Sequence, residues 1–477
     1  MQANFSKLLL IAFVGLFVVG HSQNVKIEGK AHSSYIGKVI NLYSYSDLVT
    51  FTPTKEGSDT IDAKGYFELN VDIDHTQPVN LQIDNCIGVL YVQPDFNYGI
   101  TIAKKDSLMD RRGETEIPVA INVITADTNE LNTLIFDFNK QYNKILDPND
   151  QQLWKHNRLF KKIDSLDFIC GLRYLKIKND YFKTYYKYSM AELNANATRG
   201  KNYLYMNYIQ GKPTQPTHYE YMTFFDSYFK GYLEAFASMK TGESLYKLVN
   251  DVAKYDALNA YVKTDPLLKN DTLRELVILR NLWEFFYSPQ FNNADVVNIV
   301  EQINQTSKIA EHKRIASNIL QYAYKLQQGS VAPNFAVEDR TGKIVTLKDF
   351  KGRYVYLNFF STKSVNSMKE MPKIMDLVKK YGDKCMFISI CTDDSIKSYK
   401  AYIKANPKYT WPILYNSGSK GNTAKDIYNT SGEPAYFFIN NYGNLMQSPA
   451  KSPTQGIEGK LKALFKPKSR GNKIGIR

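Results

Sequence analysis

Between residues 24 and 105 apolar and polar positions alternate along the chain. Phe67, Leu69, Val71 and Ile73 are interleaved with Glu68, Asn70 and Asp72, the period of two that buries one face of a strand. Val79, Leu81 and Ile83 repeat the pattern, Val89 to Val92 and Tyr98 to Ile102 add short runs, and Asp62-Ala-Lys-Gly65 is a turn signal ahead of one of them. Short strands at this spacing predict a small all-β sandwich or barrel over 24–105. From about 127 to 328 the period lengthens to that of helices. Leu131, Leu134, Ile135, Phe138, Tyr142, Ile145 and Leu146 trace one stripe behind Asp127-Thr-Asn-Glu130, an acidic form of the capping box. Asp271 is the expected cap of a helix carrying Leu276, Leu279, Leu282 and Phe286, and Asp295 to Asn304 and Ser307 to Leu326 form a final pair. Tyrosines crowd this all-α block, with Tyr174, Tyr181, Tyr185, Tyr186 and Tyr188 followed by Tyr203, Tyr205 and Tyr208. Such stripes pack helix on helix with their hydroxyls at the rim, and aromatics also build sugar or peptide grooves.

The remaining third, 331–467, mixes the two periods. Tyr354 to Phe360 reads as a central strand. Met368, Met371, Met375 and Val378 then recur on one face of a helix, and Cys385 to Thr392 is an apolar run of strand length. The chain is therefore multidomain: all-β, then all-α, then α/β. Its length of 477 residues agrees, at roughly 150 residues per domain. An apolar fraction of 43% with 13% aromatics is ample for packed cores.

Both ends differ in character from the body. Lys7 precedes a continuous apolar run from Leu8 to Gly20, and Gly20-His-Ser22 places small residues where a signal peptidase needs them. A secretory signal over 1–22, cleaved after Ser22, is expected; the run is short for a membrane span. No cysteine follows it, so the expectation is a periplasmic protein and not a lipoprotein. The formal charge of +14 is spread over lysines interleaved with acids, which argues against a nucleic-acid partner. The exception is the stretch Lys466 to Arg477, with five basic residues and no acid. Its end, 468–477, is read as a disordered basic tail making weak electrostatic contact with membrane surfaces.

Candidate chemistry concentrates in Leu357-Asn-Phe-Phe-Ser-Thr-Lys-Ser-Val-Asn-Ser-Met-Lys-Glu-Met-Pro372. This stretch resembles the active-site strand, turn and helix of the TlpA-like branch of the thioredoxin/redoxin family, which carries Trp-Cys-x-x-Cys-x-x-Glu-x-Pro. Ser364 and Ser367 stand at the two cysteine positions and Lys363 at the tryptophan. Ala332-Pro-Asn-Phe335, the run Asp339 to Gly352, and Ser431-Gly-Glu-Pro434-Ala-Tyr-Phe-Phe-Ile439-Asn-Asn-Tyr-Gly443 are similar to further family segments. Gly88 to Tyr98 likewise resembles the β-domain that precedes TlpA-like domains in some exported proteins. The resemblance implies a thioredoxin-like fold, a cis Pro434 facing the 361–367 turn, and a peptide groove between the two. Its contact set would be Lys363, Ser364, Ser367, Glu433 and Pro434, with Glu433 an exposed charge. A serine hydroxyl can neither attack a disulfide as a thiolate does nor resolve a mixed disulfide.

Four cysteines remain to be placed. Cys86 and Cys170 fall in different blocks. Cys385 and Cys391 share a strand, where six residues at ~3.3 Å set them about 20 Å apart, too far for a bridge. All four read as small buried hydrophobes. Cys391, near the C-terminal end of its strand where α/β sheets place their sites, is the candidate reactive thiol, with Cys385 as second choice. The histidines are isolated, so neither a metal site nor a cofactor is indicated, and Asp393 and Asp394 read as helix caps. The leading expectation is a non-catalytic exported protein that binds or scaffolds a protein or peptide of the cell envelope. Two alternatives are an envelope thiol-disulfide oxidoreductase using a displaced cysteine and an accessory subunit of an outer-membrane assembly.

Overall fold

The computed structural model describes residues 24–105, 117–125, 127–144, 156–239, 245–286, 288, 290–393, 395–417, 423–428, 430 and 432–466. The expected signal segment, its cleavage point, the basic tail, Ser431 and Asp394 lie outside the described residues.

Strands are numbered in chain order. One sheet has the order β4 (Tyr66–Asp72), β1 (Asn24–Ala31), β7 (Asn97–Ile102), β9 (Ile121–Val123); a second has β3 (Pro53–Thr60), β2 (Val39–Tyr45), β5 (Gln77–Ile83), β6 (Cys86–Val92), β8 (Ile117–Pro118). Their inward residues meet in one core: Val25 and Ile27, Leu69 and Val71, Ile40 and Leu42, Val79 and Leu81, Leu90 and Val92. Each such side chain contributes about 1.5–3 kcal/mol through loss of water contact. The alternation that predicts β4 and β5 is the alternation of burial along them. Gly29 in β1 is required by this packing, since a Cβ there would press on the Phe67 ring and lie 2.9 Å from Ile100 Cγ1. Strand structure runs past 105: β9 pairs with β7 and β8 with β6. Strands of two or three residues are too short to show a period.

The helical block contains α1 (Leu131–Tyr142), α2 (His156–Arg173), α3 (Asp180–Asn196), α4 (Tyr219–Phe229), α5 (Asp271–Phe285), α6 (Asn293–Thr306) and α7 (Ala310–Lys325), with shorter helical segments between α3 and α5. Phe224, Phe225, Phe229, Leu276, Leu282, Ile299 and Ile315 share its main core. Two expected caps are displaced along the chain. Glu130, not Asp127, caps α1 by accepting from the Asn132 and Thr133 amides at 2.9 and 2.8 Å. Asn270, not Asp271, caps α5 through the Leu273 amide, leaving Asp271 to pair with Arg274. The tyrosine hydroxyls are mostly drawn inside and bonded there, as Tyr185 is to Asn139 (2.9 Å) and Tyr174 to Asp137 (2.7 Å), so packing rather than a ligand groove accounts for them.

Sheets and helices are joined by buried polar contacts. Asn318 of α7 donates to Asp47 Oδ2 at 2.7 Å, and Tyr91 of β6 donates to Glu220 Oε1 of α4 at 2.7 Å. Beside it His218 stacks on Tyr181 with centroids 4.0 Å apart. Its Nδ1 lies 3.3 Å from Glu220 Oε2, and neither atom has another partner among the described residues. Burial raises the Glu220 carboxyl to about 7 and lowers His218 to about 4.

The C-terminal sheet has the order β11 (Ile344–Thr346), β10 (Ala336–Glu338), β14 (Ile413–Tyr415), β13 (Cys385–Cys391), β12 (Tyr354–Phe360), β15 (Ala435–Ile439), β16 (Leu445–Gln447). β12, β13 and β14 run parallel and β15 returns antiparallel to β12. Being central, β12 is buried on both faces, which is why its sequence is nearly continuous in apolar residues. Tyr356 and Phe360 face α8 (Val365–Tyr381) and α11 (Ile457–Leu464) in one core; Leu357 and Phe359 face Leu326, Phe335 and Tyr428 in another. α9 (Ile396–Ala405) and the short α10 (Ala424–Ile427) complete the domain. Among the described residues no helix is long and apolar enough to cross a membrane.

Candidate functional site

β12 ends at Phe360 and the chain turns at once into α8, so residues 361–364 sit at the C-terminal edge of the parallel strands, where α/β sheets expose chemistry. Ser364 is the N-cap of α8: its Oγ accepts from the Ser367 amide at 3.2 Å, satisfying a donor that the first helical turn leaves unpaired. The same hydroxyl donates to the carbonyl of Glu433 at 3.1 Å. Glu433–Pro434 is a cis peptide, and this hydrogen bond sets the loop leading into β15 against the turn. The structure thus brings together Ser364, Glu433 and Pro434, with Lys363 exposed at their edge.

Three roles expected from the sequence need correction. Ser367 is only 1% exposed and its Oγ accepts from the Ser361 amide at 3.4 Å, so it supports the turn from inside and offers nothing to a surface ligand. The adjacent Val365 is 67% exposed and takes its place at the rim. Glu433 is not an exposed charge. Its side chain is 16% accessible, lies 3.0 Å from Lys425 Nζ, and accepts from the Thr392 hydroxyl at 2.8 Å. Cys391, read as a small buried hydrophobe and also named as the candidate thiol, is fully buried. Burial pushes it up to about 12, against a hydrogen bond from the Asp393 backbone that lowers it and with the Asp393 and Glu433 carboxylates adding to the rise. Cys385 is likewise buried and pushed up to about 12. A reactive thiol needs an accessible, electropositive setting; neither has one. All four cysteines are free and buried.

Several residues position the site in ways the sequence reading did not assign to them. Asp393, 5% exposed, accepts from Ser361 Oγ (2.6 Å), the Thr362 amide (3.0 Å) and the Thr362 hydroxyl, pinning the turn to the end of β13. It is therefore no helix cap; Ser395 caps α9. Glu370, on the inner face of α8, accepts from Ser452 and Thr454 and ties the helix to the segment before α11. Lys425 reaches Glu433 from α10. A signal existed for Glu370, which falls at the family's Glu-x-Pro position; none existed for Asp393 or Lys425, whose partners are remote or act through a loop. Among the described residues no group of three His, Cys, Asp or Glu side chains is arranged to hold a metal.

Chemically, the turn presents the Ser364 hydroxyl, a lysine and backbone groups beside the cis-proline loop. It can hydrogen-bond an extended chain but offers no thiolate. Comparison with known proteins gives this arrangement its relatives. The AhpC/TSA family matches residues 328–448. Thiol-disulfide oxidoreductase ResA of Bacillus cereus is 32% identical over 142 residues, 29% of this chain and 80% of that protein. Thioredoxin-like protein YneN of Bacillus subtilis is 32% identical over 120 residues, 25% of this chain and 68% of that one. Among solved structures, a thiol:disulfide interchange protein from Bacteroides sp. is 22% identical and covers 31% of this chain and 97% of its own, with a TM-score of 0.28.

Proposed function

The chain belongs to the TlpA-like thioredoxin/redoxin family, and on that premise we propose that it is a recognition member of the family: an exported envelope protein that binds or scaffolds a protein or peptide without thiol chemistry. The observation that carries this reading is Ser364. It occupies the position of the attacking thiol, and its hydroxyl is engaged with the helix cap and the Glu433 carbonyl. An extended peptide laid along the loop would pair with backbone groups at Glu433 and Pro434, the way a strand adds to a sheet edge. Ser364 Oγ–H would then exchange the Glu433 carbonyl for the incoming chain, and Lys363 and Val365 would flank it. The burial of every cysteine supports the absence of a displaced redox centre.

The relatives' names favour a second reading, an envelope thiol-disulfide oxidoreductase working through Cys391 or Cys385. Insulin reduction and native thiol titration separate the two. The recognition reading expects no turnover above background and no thiol reacting until the protein is unfolded. Turnover that Cys391→Ser or Cys385→Ser abolishes would replace it with the enzyme. Capture of envelope partners by wild type and by Ser364→Trp tests the groove itself: partners retained in full by the variant would move docking to the first two blocks, as for a subunit of an outer-membrane assembly.

A further inference from the structure

The surface of α2 carries a feature the groove does not use. Its inner face, with Leu159, Ile163, Leu166, Cys170 and Tyr174, is buried in the packing of α1 and α3. On the outside Phe168, Ile169, Leu172 and, just past its end, Leu175 are 69%, 57%, 62% and 75% exposed. Positions 168, 172 and 175 follow helical spacing and form one ridge, with Ile169 along its side. Single exposed apolar residues are ordinary, whereas four in one stripe mark a contact surface.

Charges of both signs lie beside this ridge, and their partners differ. Lys161, two helical turns before Phe168, and Lys176, one turn after Leu172, lie along the stripe and are exposed. Both acids of α2 are engaged: Asp164, on the same face one turn before Phe168, with Arg199 at 2.6 Å, and Asp167, at the side, with the Tyr186 hydroxyl. Arg173 is turned to Asp137 of α1 at 2.7 Å. An apolar ridge rimmed by lysines, with its acids engaged elsewhere, is the surface chemistry of a helix lying in a bilayer interface.

We propose that the outer face of α2 docks on an anionic lipid surface, with Phe168, Leu172 and Leu175 entering the headgroup boundary and Lys161 and Lys176 meeting the phosphates. The whole-chain charge of +14 favours the same approach. A second copy of this chain is a poorer occupant, because a two-fold contact would set each lysine-rimmed ridge against its own image. The inference stands apart from the groove reading and from the basic tail.

Flotation with vesicles of phosphatidylglycerol and phosphatidylethanolamine, against vesicles of phosphatidylcholine, tests it. Wild type should bind the anionic vesicles, and added salt should weaken the binding. Phe168→Ser with Leu172→Ser, and separately Lys161→Glu with Lys176→Glu, should each lower the partition by about tenfold or more. Phe168→Trp should keep binding, and the fluorescence of this variant should shift to the blue and be quenched by brominated lipid. This last readout leaves the helix otherwise intact and decides the matter even if a double variant misfolds. No binding, binding unchanged in both double variants, or Phe168→Trp fluorescence that brominated lipid leaves unquenched would overturn the proposal. So would a dimer that Leu172→Asp dissolves, which would assign the ridge to a second copy.

Discussion

Glu220→Gln should stabilise the helical block at alkaline pH and leave it nearly unchanged at acid pH. The reasoning starts from two orphan atoms, Glu220 Oε2 and His218 Nδ1, which face each other at 3.3 Å inside the junction of β6 and α4. His218 Nε2 donates to the Tyr181 carbonyl at 3.1 Å, so in the neutral ring Nδ1 is an acceptor. A protonated Glu220 satisfies it, and an ionised carboxylate does not. Burial raises the Glu220 carboxyl from 4.5 to about 7, so between those values the native state holds a proton that the unfolded chain has lost. Stability therefore falls as pH rises through this window, by about 3 kcal/mol at 1.36 kcal/mol per pKa unit. His218 works in the opposite sense. Burial lowers it from 6.5 to about 4, so stability is lost as pH falls through that interval. In wild type the two slopes largely cancel between about pH 4.5 and 6.5. Glutamine keeps the acceptor for Tyr91 and can donate to Nδ1 at every pH, removing only the alkaline penalty. For a domain of this size ~3 kcal/mol corresponds to roughly 6–12 °C in Tm. Thermal unfolding followed by far-UV circular dichroism at pH 5 and pH 8 measures it, read on the transition of the helical block because the domains need not melt together. An equal shift at both pH values, or none at pH 8, would refute the buried-carboxyl argument.

Two further outcomes follow from the groove. Asp393→Ala should cost the C-terminal domain about 2–3 kcal/mol, because it strands the donors of Ser361 and Thr362, and should speed hydrogen exchange at the Thr362 amide; unchanged stability would mean that the turn is held by something else. Ser364→Cys with Ser367→Cys should introduce weak insulin reduction, since the cap of α8 and the neighbouring Lys363 both favour a thiolate at position 364, and a formed pair with no activity would show that the loop geometry does not admit a disulfide substrate.

What the sequence makes legible is periodic or local. Phe67, Leu69 and Val71 alternate because one face of β4 is buried, and Tyr354 to Phe360 is nearly continuous because β12 is buried on both. The contact of Ser364 with the Glu433–Pro434 loop was readable only through family resemblance, since 69 residues separate the hydrogen-bonded pair. Asp393 misled because an acid after a strand looks like a cap; its true donors lie 31 and 32 residues earlier in the chain. α2 escaped notice because its apolar residues lie on two faces. The buried set and the exposed ridge together blur the period that would have revealed either.

The polar network around the turn bears on what the groove is for. The core beneath it is apolar and complete without Glu433 or Lys425, and an ionic pair of this kind adds little net stability once desolvation is counted. What the network does fix is geometry. Asp393 holds Ser361 and Thr362, while Thr392 and Lys425 hold Glu433, so both walls of the groove are anchored at the ends of rigid strands. A thiol centre needs such rigidity to aim a nucleophile, but so does a surface that must present backbone groups to an incoming chain without first ordering them. With serine at both redox positions and every cysteine inside, the proposed recognition role draws on the second use alone.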